Sequence, residues 1–380
     1  MPYMVTRRCA GRRFFLKPSP EVNAILLYAL AAAQDACPNI EVYAFTVTSN
    51  HYHLVLRDTS TAEEIPQLPA FMEKLNGLSA RALNAHYGRG ENLWRKGSYR
   101  PLELHGINSL RHHLCYVWSQ VVKDGLLPRP EQWPGVTFLP QDLGTVREVP
   151  KPQGAFFGGR RSDSLRRQRG PSPDPVGADL ARAQREIHAE AREGALRNLG
   201  LVPPRTPRQQ ERVEDQREER LAFGSPPRRQ HRPSKLAESY PLRISVPPEF
   251  AGQPLEDTRA ELAGDLERVL ADAHAVRQGK PYLGLAAIQD QHPFDAAGST
   301  WPSFDRTPVI SCREGRAARI STLAQLILFR YLYAAAWTAY QDGDLEAVFP
   351  LGTYRLRRDH HVRVSGVDRP RATGPPPLAA

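Results

Sequence analysis

Two β-rich runs, IEVYAFTVT (40–48) and HYHLVLR (51–57), are separated by only Ser49 and Asn50. Runs of that composition with a two-residue joint read as adjacent strands, and this spacing restricts the fold more than any other feature of the chain. In the second run successive side chains alternate, so His51, His53 and Val55 share one face while Tyr52, Leu54 and Leu56 share the other. The second set suits a core. The first aims two imidazoles the same way from a rigid element.

The segments around this pair extend the pattern. YMVTRRC (3–9) reads as a strand, and SPEVNAILLYALAAAQDAC (19–37) as a helix opened by Ser19 and Pro20. A second helix is expected across about 62–86, and a strand at LWRKGSYRPLEL (93–104). The last element, INSLRHHLCYVWSQVVKD (107–124), is helical and ends at Gly125. The order β-α-β-β-α-β-α implies an α+β fold of the ferredoxin-like, RRM-like split βαβ type with one extra helix. Residues 1–145 are therefore expected to form one folded domain. Residues 146–240 are rich in Arg, Pro, Ser and Gly and read as a basic, largely disordered linker, with marginal helices around 177–200. Residues 241–380 read as a mainly helical C-terminal region of unassigned role, with helices near 257–278 and 321–341.

The bulk numbers narrow the function classes. The 380 residues carry a formal net charge of +10, which favours polyanionic partners without separating nucleic acid from a membrane surface. The four cysteines are scattered with no C-x-x-C pair, which argues against a disulfide framework or a structural zinc site and fits a reducing cytosol. The apolar run AILLYALAAA (24–33) is too short for a span and lacks a signal-peptide layout. The longer run at 323–340 has Arg330 at its centre, which favours an amphipathic helix over a membrane span.

The chemistry concentrates on one strand and one helix. His51 and His53 suit two donors to one divalent cation, or two polar residues on a solvated face. On the last helix, Ile107, Leu110, Leu114, Val117 and Val121 recur at helical spacing as a core stripe. Tyr116 and Gln120 lie on a separate flank at i and i+4, side by side, with His113 one turn earlier. If that flank faces the two histidines, the tyrosine becomes a nucleophile beside a metal ligand; otherwise both are solvated.

The segments YMVTRRCAGRRFF, TVTSNHYHLVL, LWRKGSYR and LCYVWSQVVKDGLLPRPEQWP occur in the order seen in single-tyrosine HUH transposases. They are most similar to REP-associated tyrosine transposases and their longer bacterial relatives, over residues 3 to about 138. The resemblance makes His51 and His53 the histidine pair, Tyr116 the catalytic tyrosine and Gln120 the third metal ligand. Where many such proteins read Y-x-x-x-N-P-V, this chain has YVWSQVV, so the helix is expected to run unbroken to about Asp124. The implied activity is cleavage and rejoining of single-stranded or hairpin DNA through a 5′-phosphotyrosine, with Mg²⁺ or Mn²⁺ as cofactor. The implied setting is a bacterial cytoplasm, associated with the nucleoid and not with a membrane, as monomer or homodimer.

Arg7, Arg8, Arg12, Arg13, Arg95, Lys96, Arg100 and Arg111 are candidates to track a DNA backbone. Phe14, Phe15, Trp94 and Tyr99 are interleaved with them as candidate base-stacking groups. Tyr87 and Tyr99 are rival nucleophiles without a neighbouring carboxamide, and His292 and the DHH at 359–361 read as loop histidines. Two other readings stay open: an RRM-like nucleic-acid-binding protein without catalysis, and a metal-dependent phosphoesterase that uses water.

Overall fold

The computed structural model describes residues 1–61, 64–95, 99–154, 156–157, 236–298, 310–353, 356–357, 360 and 362–365, with Arg100 described by its backbone alone. The hairpin sits at its centre. β2 (Ile40–Val47) and β3 (His51–Asp58) pair antiparallel, and the Thr48 N–H donates to the His51 carbonyl at 2.9 Å to close the turn. β1 (Pro2–Arg8) pairs antiparallel with β3 on one side and with β4 (Arg100–His105) on the other.

The chain is mixed α and β. β5 (Thr145–Pro150), β6 (Ser239–Ile244) and β7 (Ile310–Cys312) extend the sheet to the order β5-β6-β2-β3-β1-β4-β7 among the described residues. β6 runs parallel to β2 and β7 parallel to β4. α1 (Pro20–Asp35) opens at Ser19, whose hydroxyl accepts from the Val22 N–H, with Pro20 in the first turn. α1 packs against α2 (Leu68–His86), and Tyr52 reaches α2 to donate to Asn76 Oδ1 at 2.7 Å. α3 (Ile107–Trp118) lies against β2, β3 and β4 from the other side. The strand alternation thus sends Tyr52 toward α2 and leaves the two histidines facing α3.

Several boundaries differ from the sequence expectation. α2 begins at Leu68 because Pro69 is tolerated only in a first turn, and Asp58 caps it by accepting the Leu68 N–H at 2.7 Å. The strand expected over 93–104 pairs only as Arg100–His105; Trp94 makes an isolated bridge to Cys9, and Lys96 falls outside the described residues. The helix expected to run unbroken to Asp124 divides at Ser119 (φ −85°, ψ 1°), and α4 (Gln120–Lys123) follows. The Ser119 hydroxyl donates to the Tyr116 carbonyl at 3.3 Å, the kind of back-bonding that bends helices. Of the stripe, Leu110, Leu114, Val117 and Val121 are fully buried, whereas Ile107 at the helix start is exposed.

Beyond residue 145 the expected linker has strands at both edges. Residues 146–150 lie in β5 and 239–240 in β6, because Val149, Tyr240, Leu242 and Ile244 find a hydrophobic site beside α1. A buried glutamine fixes this addition: Gln34 Nε2 donates to the Arg243 carbonyl at 3.0 Å, and Oε1 accepts the Arg243 N–H at 2.8 Å. The interior of the linker, including 177–200, lies outside the described residues.

α5 (Leu255–Arg277) buries Leu262, Leu266 and Leu270 on one stripe and packs along α3 and α4. α6 (Leu285–Asp290) sets Ile288 among Val121, Leu127 and Trp133. α7 (Arg316–Gln341) is the longest of the described helices, and none of them is long and apolar enough to cross a membrane. The described residues from Tyr331 to Ser365 belong to a second compact unit. Its described core is Phe349 against Tyr333, Trp337 and Tyr340, with β8 (Val348–Phe349) paired to β9 (Arg363–Val364).

The Gln34 latch yields a direct test. Gln34→Leu keeps the volume and removes both hydrogen bonds, so it should lower the unfolding free energy by about 1–2 kcal/mol. Urea denaturation reads this; an unchanged midpoint would mean that β6 docks without the latch.

Candidate active site

The cross-strand register builds the site. Thr6 stands opposite His53, and Arg8 opposite His51, so four side chains from β1 and β3 share the face beneath α3. Arg7 stands opposite Tyr52 and belongs to the other face. His51 and His53 are both buried, with ring centroids 4.8 Å apart and rings edge to face. The solvated face of the simplest reading is therefore covered.

Each imidazole is held through Nδ1. Asn50 Oδ1 lies 2.7 Å from His51 Nδ1, and an amide oxygen can only accept, so the proton of neutral His51 is on Nδ1 and the Nε2 lone pair is free. Thr48 Oγ1 also lies 2.9 Å from that nitrogen while donating to the His51 carbonyl. His53 Nδ1 meets Thr6 Oγ1 at 2.9 Å, and its buried Nε2 has no hydrogen-bond partner. Orientation of one ring nitrogen by a neighbouring polar group is how metal-ligating histidines are fixed.

The helix flank completes the cluster. The half-buried Tyr116 ring stands edge-on to His53 with centroids 5.5 Å apart, and Lys123 Nζ lies 4.8 Å from the Tyr116 ring centroid. Gln120 is buried; its Nε2 donates to Asp124 Oδ1 at 2.7 Å, and its Oε1 has no partner. Asp124 Oδ2 lies 3.8 Å from His51 Nε2. Among the described residues no three His, Cys, Asp or Glu side chains form a metal-holding group by themselves. His51 Nε2, His53 Nε2 and Gln120 Oε1 could hold a divalent cation; by donor softness this set suits Mn²⁺ better than Mg²⁺, and the two unpartnered buried atoms, His53 Nε2 and Gln120 Oε1, are what such an ion would satisfy.

Burial sets the electrostatics. It pushes His51 down to about 3, with Arg8 adding to the effect, and holds His53 well below its ordinary value, helped by His51 and Arg8. Asp124 is pushed up to about 6 by burial, against the Gln120 hydrogen bond and Arg8. The Tyr116 phenol is raised by burial and then by Asp124, with Arg8 opposing. Among the described residues, Arg8 is thus the cation that acts on all four of these groups.

The other candidates scatter. Arg95 is exposed and donates its N–H to the Arg8 carbonyl, and Arg12 and Arg95 are the cations that face Arg8. Arg13 is exposed, next to the loop carrying Ala296. Arg111 is bound by Glu261 and Asp265 of α5. The Arg100 side chain lies outside the described set. Phe15 is fully buried against Phe294, and Trp94 is buried with its Nε1 donating to the Asn76 carbonyl, so neither offers a face to a base. Phe14 and Tyr99 are partly exposed. Tyr87 donates to the Phe15 carbonyl at 3.2 Å, and His292 is exposed beside Phe294. His113 is buried edge-on to Tyr116 at 6.2 Å, with neither ring nitrogen hydrogen-bonded, and is pushed down to about 4 by burial and His112. Asp359 and His361 lie outside the described residues.

Four contributors escaped the sequence reading. Thr6 is visible only from strand register. Asn50 and Thr48 flank the histidines in the hairpin turn, and Asp124 follows Gln120 by four residues, a spacing that pairs glutamine with aspartate on a helix.

The depressed histidines predict acid sensitivity. His51 and His53 are neutral in the fold, so the stability they provide is complete above about pH 6.5 and is lost as pH falls below it, by up to ~1.4 kcal/mol per pH unit for each. Asp124 binds its proton earlier in the fold than in the unfolded chain, which opposes this loss between the ordinary carboxylate range and about pH 6. Ring-proton NMR should show no titration of His51 between pH 8 and 5; a midpoint near 6.5 would contradict its burial.

No protein-family model matches this chain, and no curated protein matches it. Among solved structures, it is similar to a REP-associated tyrosine transposase bound to a REP hairpin, at 17% identity over 37% of this chain and 78% of that one, with a TM-score of 0.29. It is also similar to a candidate transposase from Deinococcus radiodurans R1, at 23% identity over 33% of this chain and 89% of that one, with a TM-score of 0.24.

Proposed function

We propose that this chain is a metal-dependent single-stranded DNA endonuclease and strand transferase, a transposase of the single-tyrosine HUH type. One observation carries the reading: Tyr116 and Gln120 stand on the same side of the sheet as the two imidazoles, with the His53 and Tyr116 rings 5.5 Å apart. The antiparallel order β2-β3-β1-β4 supports reading residues 1–145 as a ferredoxin-like split βαβ unit.

In this reading His51 Nε2, His53 Nε2 and Gln120 Oε1 would hold Mg²⁺ or Mn²⁺, which would supply charge to polarise the scissile phosphate and offset its developing negative charge. Tyr116 Oη loses its proton to solvent and bonds to phosphorus, while the bond to the 3′-oxygen breaks and that oxygen takes a proton from solvent. The products are a 5′-phosphotyrosine and a free 3′-hydroxyl, and attack by another 3′-hydroxyl reverses the step and rejoins strands. The protein as described holds the phenol above its ordinary value, so the nucleophile stays protonated until positive charge enters the site. Arg8, with Arg12 and Arg95 around it, is the group suited to seat the incoming phosphate. Thr6, Thr48 and Asn50 keep both histidines in the ligating orientation.

The test uses a labelled single-stranded hairpin oligonucleotide with Mn²⁺ and the whole protein. A denaturant-resistant adduct is expected, reduced about 10³-fold or more in Tyr116→Phe and lost in His51→Ala and His53→Ala. An adduct unchanged in Tyr116→Phe would defeat the reading. Cleavage without an adduct would favour a water-using phosphoesterase, and binding without cleavage an RRM-like binding protein.

The cations separate in a second experiment. Arg8→Ala should weaken binding of single-stranded DNA and reduce the salt slope by about 0.7, the share of one phosphate contact. Arg111→Ala should leave affinity unchanged and lower stability, because its partners are Glu261 and Asp265. Equal affinity losses would show that DNA reaches the α5 side as well.

A further inference from the structure

We infer that Asp124 is a positioning residue of the cation site: it fixes the Gln120 amide so that Oε1 is the atom left facing the histidines. The inference rests on the metal-site reading above. A primary amide presents an oxygen or an NH₂ group with nearly the same shape, and only the oxygen can bind a cation. Something must choose between the two orientations. Asp124 Oδ1 lies 2.7 Å from Gln120 Nε2, and a carboxylate only accepts, so the amide must turn its NH₂ toward Asp124. The opposite orientation would set two oxygens against each other in a buried pocket.

The backbone makes the choice rigid. The break at Ser119 starts a new short helix at Gln120, and the Asp124 N–H donates to the Gln120 carbonyl at 2.9 Å. The two side chains therefore meet at i and i+4 with their backbones already bonded, the geometry in which Gln–Asp pairs form on helices. The consequence is visible in the site. Gln120 Oε1 and His53 Nε2 are both buried without partners, and Asp124 Oδ2 comes within 3.8 Å of His51 Nε2. Three donors are thus presented, and the carboxylate that arranges the third keeps its oxygen on the amide nitrogen.

Mn²⁺ binding to the whole protein, by calorimetry and by the Mn²⁺ electron paramagnetic resonance signal, tests this without DNA or turnover. Asp124→Ala should weaken Mn²⁺ about 10–100-fold, as loss of an orienting partner does at other metal sites. Asp124→Asn keeps an acceptor oxygen at the same place and should restore affinity to within about threefold of wild type. In a Gln120→Ala background, Asp124→Ala should cost no further affinity, because there is no amide left to orient. Circular dichroism of each variant separates a lost site from a lost fold.

Asparagine failing as badly as alanine would overturn the inference, since the carboxylate would then act by its own charge or as a ligand. An added loss in the Gln120→Ala background would overturn it too. If wild-type protein binds no Mn²⁺, or His51→Ala and His53→Ala bind it normally, the metal site itself fails. Failure of the Asp124 arm with intact histidine dependence leaves that site standing.

Discussion

The register of β1 against β3 is the constraint on which the rest of the site depends. It sets Thr6 against His53 and Arg8 against His51, so one short strand supplies both the hydroxyl that orients an imidazole and the cation that faces the cluster. A slip of one residue would exchange Thr6 and Arg8 for Val5 and Arg7, placing an apolar side chain beside one histidine and removing its partner. The same alternation sends Tyr52 to Asn76 of α2, which ties the opposite face of β3 to the core. Register is therefore fixed from both faces at once.

The helix above the sheet contributes through its interruption. A straight helix would place Gln120 one regular turn beyond Tyr116. The break at Ser119 begins α4 with Gln120 at its first position and Asp124 just after its last. α5 braces this arrangement from outside, with Arg111 held by Glu261 and Asp265 and Arg129 by Glu267. These pairs are partly exposed, so their geometry matters more here than their energy.

Burial converts these side chains into a site with unusual proton chemistry. Two imidazoles within 4.8 Å, covered by a helix and next to Arg8, remain neutral where free histidine would be charged. The phenol beside them is held protonated, and the carboxylate is raised. Added positive charge would bring the phenol and the carboxylate back down toward their ordinary values while keeping both imidazoles neutral, the form in which histidine binds a metal.

The sequence by itself determined the strand pair, the two-faced alternation of 51–57 and the helical stripe from Leu110 to Val121, which follow from local periodicity that a single chain displays directly. Periodicity only placed His51, His53, Tyr116 and Gln120 on their faces; their roles came from the resemblance to single-tyrosine HUH transposases. The structure alone decided which residues meet across elements. Thr6 had no signal, because cross-strand partners depend on register rather than spacing. Phe15 and Trp94 looked like stacking groups because aromatic residues beside arginines read the same whether they face solvent or core. β5 looked like linker because only Val149 of its six residues is buried, and β6 finds its place through Gln34, more than 200 residues away in the chain. Asp124 was legible as the fourth residue after a glutamine, yet its role needed the break at Ser119 and the covered imidazoles beside it. Sequence records what each element can offer; packing decides which offers face one another.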